Sequence, residues 1–533
     1  MHFQENIAGM DCLTTWDSPY RLILQAAMLI PISHYLLGAF FVVLIILYNF
    51  FEIHFLEDLF TGFRGQPVHL AFNPSSHVYR VVGYKCKLLH SRYLSTPWIC
   101  SPHFQTAFLS FFGNSPVTKY RRQLFKLDDG GTLALDWLMH SDAAPDNDAI
   151  PRDTKKIIVI VIPGLTSDSN SSYVRHLVSM MAKRGWHVVV ANHRGLGGVS
   201  ITSDCFYNAG WTDDIRKVVD YIHSQYPEAP LFTIGTSIGA NMLVKYLGEE
   251  GTNVPVIGAA AICCPWDPLL CDRFINRRLV QRFYSKVLAL GLKGYAKLHQ
   301  MVLSRLADWE GISRSRTLRD FDTYATRIVA NCATVDTYYR RCCSALYLEN
   351  VKVPLLCINA SDDPICTKEA IPWDECRENR NIILAVTKHG GHLAYFEGIM
   401  AKSLWWVRAL EEFLFVLHSS PLSQREKQKQ MTQVPSSISP QKSSKRIDDA
   451  PFVSVKENGL VAANGNGPIN KNKFENKISD TEWKSEEARN AKDYPENGEL
   501  SPGEAEALLD DGNDMGMVPV RRRKLPNHDE FCY

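Results

Sequence analysis

Between Arg21 and Glu52 the chain runs for 30 residues without a formal charge, as "LILQAAMLIPISHYLLGAFFVVLIILYNFF". About 20 helical residues at 1.5 Å each cross a hydrocarbon core, so this run predicts a transmembrane anchor over 22–51, after an N-terminal segment 1–21. Pro31 and His34 interrupt its first third, and the cleanest part is 35–51. A removable signal peptide would be shorter, with a basic leader and a small-residue cleavage site, and neither is present. A soluble helix would also carry a polar face. Arg64, Arg80, Lys85, Lys87 and Arg92 follow the run and only Arg21 precedes it. The positive-inside bias therefore predicts a single-pass protein whose remaining chain faces the cytosol, and an endomembrane such as the endoplasmic reticulum fits that topology.

Past a membrane-proximal segment at 52–119, the pattern changes from one long apolar run to short ones. "YRRQLFKLDDGGTLALDWL" reads as a hairpin turning at Asp129-Gly130. Six strand-length apolar runs follow: "KIIVIVI", "WHVVVAN", "PLFTI", "VIGAAAI", "PLLCINA" and "NIILAVT". Helical periodicities such as "YVRHLVSMMAKRG" and "TDDIRKVVDYIHSQY" separate the earlier ones. Short, non-alternating Val/Ile-rich strands joined by helices predict an α/β domain over 120–418, its mostly parallel sheet covered by helices on both faces. The long interval between the fourth and fifth of these strands, about 265–350, predicts a helical cap. From 419 to 533 Ser, Asn, Lys, Glu and Pro replace apolar periodicity, as in "ANGNGPINKNKFENK", and the expectation is a disordered tail.

Composition adds mainly exclusions. A net charge of +1 gives no electrostatic case for nucleic acid. The 14 cysteines form no CxxC motif, so neither zinc nor redox chemistry is indicated and no cofactor or metal is expected. Cysteines such as Cys263 and Cys357 lie in apolar runs as small hydrophobes, and a domain independent of disulfides suits a reducing compartment. Sequons at Asn170 and Asn359 point the other way, but both lie at strand ends.

Reactive groups in parallel sheets gather at the carboxyl ends of strands. Those ends carry "PGLTSDS", "HRGLGG", "GTSIG", "SDDP" and "KHGGHL". A serine, an acid and a histidine thus occur in the order used by the α/β-hydrolase triad. Ser237 sits between Gly235 and Gly239, as a nucleophile on a strand-to-helix turn requires. A serine hydroxyl needs a base and the base an orienting acid. His392 and Asp363 fill these roles, with His389 and Asp362 as neighbours that spacing barely separates from them. The backbone N–H groups of Ile238 and Leu165 are placed to bind an oxyanion. His193 precedes the serine and reads as a structural rim residue. "RGLGGVS" has Ser200 where a dinucleotide fingerprint needs its last glycine, which excludes a Rossmann site.

"PGLTSDSNSSYVRHLV", "NHRGLGG", "GTSIGANMLVKYLGEEG", "NASDDP" and "HGGHLAYFEG" together resemble the AB hydrolase 4 family over 120–418. The family holds membrane-anchored animal lipases and phospholipases, YheT-like esterases and plant embryogenesis-associated proteins. The resemblance implies nucleophile Ser237, acid Asp363 and base His392. It also implies hydrolysis of a lipid ester, phospholipid or acylglycerol, through an acyl-enzyme. Acyl transfer on the same triad, or a non-catalytic binding or scaffold role on a hydrolase fold, are the alternatives. In the cap, Arg278, Arg282 and Lys286 recur every four residues beside Leu279, Phe283 and Val287, and residues 273–305 contain no acid. This helix reads either as a solvated face or as a contact with anionic headgroups of the membrane.

Overall fold

The computed structural model describes residues 19–139 and 156–423, with short strands at 454–455 and 461–462. Apart from residues 419–423 and those strands, the expected tail lies outside the described residues, as does 1–18 of the N-terminal segment.

The central sheet has nine strands: β1 (His69–Phe72), β2 (Arg121–Lys126), β3 (Thr132–Leu138), β4 (Ile158–Ile162), β5 (His187–Ala191), β6 (Leu231–Thr236), β7 (Gly258–Ile262), β8 (Leu355–Ala360) and β9 (Ile382–Thr387). Their order is β1-β9-β8-β7-β6-β4-β5-β3-β2. All six short apolar runs are mutually parallel, and the β2–β3 hairpin and β1 add antiparallel edges. The hairpin turns at Gly130 with φ +81°.

The helices used below are α1 (Pro19–Leu29), α2 (Ile32–Phe50), α3 (Pro102–Phe111), α4 (Ser172–Lys183), α5 (Asp213–Gln225), α6 (Ile238–Glu250), α7 (Pro268–Ile275), α8 (Leu279–Leu298), α9 (Val335–Cys342) and α10 (Trp405–His418). Alternate residues of β4 explain the layering. Val159 and Val161 pack with Val174 and Leu177 of α4 and with Trp406 and Phe413 of α10. Ile158, Ile160 and Ile162 pack on the other face with Val218 of α5 and Leu243 of α6. Both faces of the strand are apolar because both are covered. The arrangement is the α/β-hydrolase fold, with the helices between β7 and β8, including α7, α8 and α9, forming a cap.

Two features differ from the sequence expectation. The charge-free run 22–51 is two helices, broken at Ile30-Pro31, because proline lacks an N–H and disfavours helical backbone before it. Among the described residues α2, 19 residues with mean hydropathy 1.9 and none of them buried, is the helix long and apolar enough to cross a membrane. The segment 52–119 is integral to the domain: β1 pairs with β9, and α3 packs beside the loop that carries His392.

A buried ion pair locks the hairpin to the site. Arg122 donates Nε to Asp136 Oδ1 at 2.6 Å and Nη2 to Oδ2 at 2.7 Å. Asp136 also accepts from Ser169 Oγ at 2.6 Å and Asn192 Nδ2 at 2.9 Å, residues of the loops after β4 and β5. Its charge is tolerated because every neighbour donates to it.

Two glycines separate close packing from free space. A β-carbon on Gly239 would lie 2.3 Å from the Pro163 carbonyl oxygen, whereas one on Gly294, inside α8, meets nothing within 4 Å. Gly239→Ala should therefore lower the melting temperature by an amount equivalent to roughly 1–3 kcal/mol, as overpacked sites do. Gly294→Ala should raise it by the equivalent of roughly 0.5–1 kcal/mol. Thermal melts of the two variants check the pair, and equal tolerance of both would contradict this packing.

Candidate active site

Ser237 stands between β6 and α6 with φ +53° and ψ −124°, a conformation that side-chain sterics penalise. The strain lies on the serine itself. Its flanking glycines have ordinary φ, and their role is clearance: a β-carbon on Gly235 would lie 2.5 Å from the Gly239 carbonyl oxygen. The Ser237 amide is fixed by the Ile262 carbonyl at 2.8 Å, so β7 holds the turn from the side. With the backbone thus bent, the hydroxyl projects from the sheet toward the loop after β9.

His392 on that loop meets it. Its Nε2 lies 3.0 Å from Ser237 Oγ, and its Nδ1 lies 2.9 Å from Asp363 Oδ2. Asp363 is buried, and its Oδ1 accepts the N–H groups of Ile365 and Cys366 at 2.8 and 2.9 Å. These two bonds aim the remaining oxygen at the imidazole. The three residues that sequence order brings forward are joined in one hydrogen-bonded chain. Among the described residues, the N–H groups of Leu165 and Ile238 have no acceptor. Ile238 opens α6, and Gly164, before Leu165, approaches so closely that a β-carbon there would sit 3.2 Å from that of Ser237. The turn is held by Tyr173 and Tyr207, whose hydroxyls accept from the amides of Gly164 and Thr166 at 2.8 and 3.0 Å.

The neighbouring pair Asp362 and His389 faces elsewhere. His389 Nδ1 lies 3.2 Å from Asp362 Oδ2, and His54 Nε2 approaches the same oxygen to 3.4 Å. The two imidazoles stack with centroids 3.7 Å apart. Burial alone would raise the Asp362 carboxyl, but the hydrogen bond from His389 and the close approach of the His54 imidazole outweigh it and hold it below the usual range. Asp362 Oδ1 accepts the Gly391 amide at 3.0 Å, just before His392. This cluster therefore ties the chain leaving α2 to the loop that carries His392. His193 is buried, bonded through Nε2 to the Pro163 carbonyl at 2.9 Å and stacked on Tyr207, as a rim residue should be. Asn359, the second sequon, is buried in β8 and bonded to Trp266 and Cys264.

Sequence reasoning missed Thr106 of α3, whose hydroxyl accepts the His392 amide at 3.0 Å. It also missed His54. Neither lies in a motif, and both come from the segment before the hairpin.

Ser237 and His392 open into a cavity of about 610 Å³, walled mainly by apolar and aromatic side chains such as Phe206, Tyr207, Ile238, Leu288 and Leu292. Two carboxylates also line it. Asp272 is paired with Arg319 at 2.7 Å. Asp322 accepts the Tyr339 hydroxyl at 2.7 Å, and burial raises its carboxyl to about 6.

Residues 153–399 match the family model described as "Serine aminopeptidase, S33". The chain is 36% identical over 345 residues to the embryogenesis-associated protein EMB8 of Picea glauca, covering 63% of this chain and 75% of that one. The chain belongs to the AB hydrolase 4 family. Family relatives include phospholipase ABHD3 of Mus musculus, 31% identical over 63% of this chain and 82% of the relative. A monoacylglycerol lipase of Saccharomyces cerevisiae is 28% identical over 59% and 78%.

The geometry separates the adjacent aspartates. Asp363→Asn removes the charge that faces His392 Nδ1 and can select the wrong tautomer, so turnover should fall by about 10⁴. Asp362→Asn loosens the loop and should cost far less. Steady-state ester hydrolysis by each folded variant is the check; a larger loss for Asp362→Asn would move the acid by one residue.

Proposed function

We propose that the protein is a membrane-anchored serine hydrolase that cleaves carboxylic esters of lipids through an acyl-enzyme. The observation carrying this reading is the hydrogen-bonded chain from Ser237 through His392 to Asp363 at the floor of an apolar cavity. In the forward step, Ser237 Oγ attacks the ester carbonyl as His392 Nε2 takes its proton. The Leu165 and Ile238 amides, unpartnered among the described residues, bind the developing oxyanion in this reading; one such donor is worth about 2.7–4 kcal/mol. The imidazolium, held by Asp363, returns its proton to the departing alkoxide. Water deprotonated by His392 then releases the acid and restores Ser237.

The cavity walls match an acyl chain better than a polar substrate, and relatives named phospholipase and monoacylglycerol lipase support a glycerolipid. α2 supplies the anchor in this reading. The basic residues after it favour a cytosolic catalytic domain on an endomembrane such as the endoplasmic reticulum. Burial of Asn359 removes one argument for a lumenal location, and the described cysteines are all free thiols. The working domain then comprises 120–418, with its cap at about 265–350, completed by the membrane-proximal 52–119.

Purified wild type in mixed micelles should release fatty acid from monoacylglycerol or phospholipid. Ser237→Ala should lower that turnover by several powers of ten, on the order of 10⁶ where triad members act as a unit. Fatty-acid release by Ser237→Ala at a rate near wild type would end the proposal.

A further inference from the structure

α8 has three faces. Gln281, Ser285, Ala289, Leu292 and Ala296 are buried against the domain. On the opposite side Leu279, Phe283, Val287, Leu290 and Leu298 face outward, with Phe283 62% and Leu290 70% exposed. At 100° per residue these five fall within an arc of about 100°. Arg282, Lys286, Lys293 and Lys297 follow one edge of the strip, and no acid interrupts the helix. A solvated helix would put polar residues where this one puts leucines, so the outward strip requires a partner.

Position identifies the partner. Phe111 and Phe112, at the end of α3, are 81% and 74% exposed, and Phe111, Phe283 and Val287 all line the cavity. The cavity thus reaches the surface between two apolar edges. Both elements also begin where α2 ends. Ser101, which caps α3, bonds the Phe51 carbonyl, and the Phe51 ring lies 5.2 Å from that of Phe104. Arg278, immediately before α8, lies 3.5 Å from Glu52. An apolar strip with a basic margin, starting where a membrane-length helix stops, has the composition of a helix lying in a lipid interface.

We infer that the outward strip of α8, with Phe111 and Phe112, is a second membrane contact seated on an anionic phospholipid leaflet, so that the cavity opens directly onto lipid. The inference rests on α2 as the span and on the hydrolase reading of the cavity. The basic margin binds headgroups, the leucines and phenylalanines enter the acyl boundary, and substrate passes from leaflet to Ser237 without crossing water. A protein partner on the same strip would instead close the cavity mouth.

The test uses the full chain reconstituted in phosphatidylcholine vesicles with or without phosphatidylserine. A benzophenone amino acid replacing Leu290 should crosslink to phospholipid, read as a lipid-mass adduct. The same probe replacing exposed Lys352, before β8 at the opposite end of the strands from Ser237, should not. In anionic vesicles Leu279→Glu/Leu290→Glu and Arg282→Glu/Lys286→Glu should each lower lipid-ester turnover roughly tenfold or more. Hydrolysis of a soluble short-chain ester should stay within about twofold of wild type, since these side chains lie outside the cavity. A protein adduct, no adduct at 290, or equal loss on both substrates overturns the inference. Carbonate-resistant retention of the wild type reads the anchor separately, and wild-type turnover of the soluble ester reads the hydrolase.

Discussion

The left-handed backbone of Ser237 is the constraint around which the site is arranged. A strained residue of this kind costs on the order of 1–3 kcal/mol and persists only where its surroundings over-determine it. Here β7 holds its amide, α6 starts at the next residue, and the missing side chains of Gly235 and Gly239 let that helix approach the strands. The same bend exposes the hydroxyl and leaves the Ile238 amide without a helical partner. One local distortion thus supplies the position of the proposed nucleophile and of one candidate oxyanion donor.

The remaining groups are held by polar contacts that are themselves largely buried. Asp363 spends one oxygen on two backbone amides and turns the other to His392. Asp362, the next residue back, binds the His54–His389 stack and the Gly391 amide, so adjacent carboxylates brace opposite sides of one loop. Asp136 does comparable work across the sheet, joining the hairpin to the loops after β4 and β5. Buried hydrogen bonds of this kind fix side-chain geometry, as the 3.0 Å contact between His392 and Ser237 requires.

Much of this was legible in the sequence because parallel strands buried on both faces leave an unambiguous apolar signature. The runs "KIIVIVI" to "NIILAVT" announce β4 to β9, and the candidate site residues Ser237, Asp363 and His392 follow the carboxyl ends of three of them. Less was legible where structure depends on contacts distant in sequence. Thr106 and His54 act through residues more than 280 positions away and sit in no motif. β1 is four residues long, and its place on the sheet edge is decided by pairing with β9. In α8 the periodicity showed an amphipathic helix, but only packing shows that its apolar strip faces outward while Ser285 and Ala289 face in.

The central claim is that Ser237 is an activated nucleophile whose reactivity depends on His392. The most direct measurement is covalent labelling of the full-length protein with a fluorophosphonate, with the adduct located by peptide mass spectrometry. The account predicts a single phosphonylated site at Ser237, with labelling slowed by orders of magnitude in His392→Ala and abolished in Ser237→Ala. Labelling at another serine, or equal rates in wild type and His392→Ala, would contradict it.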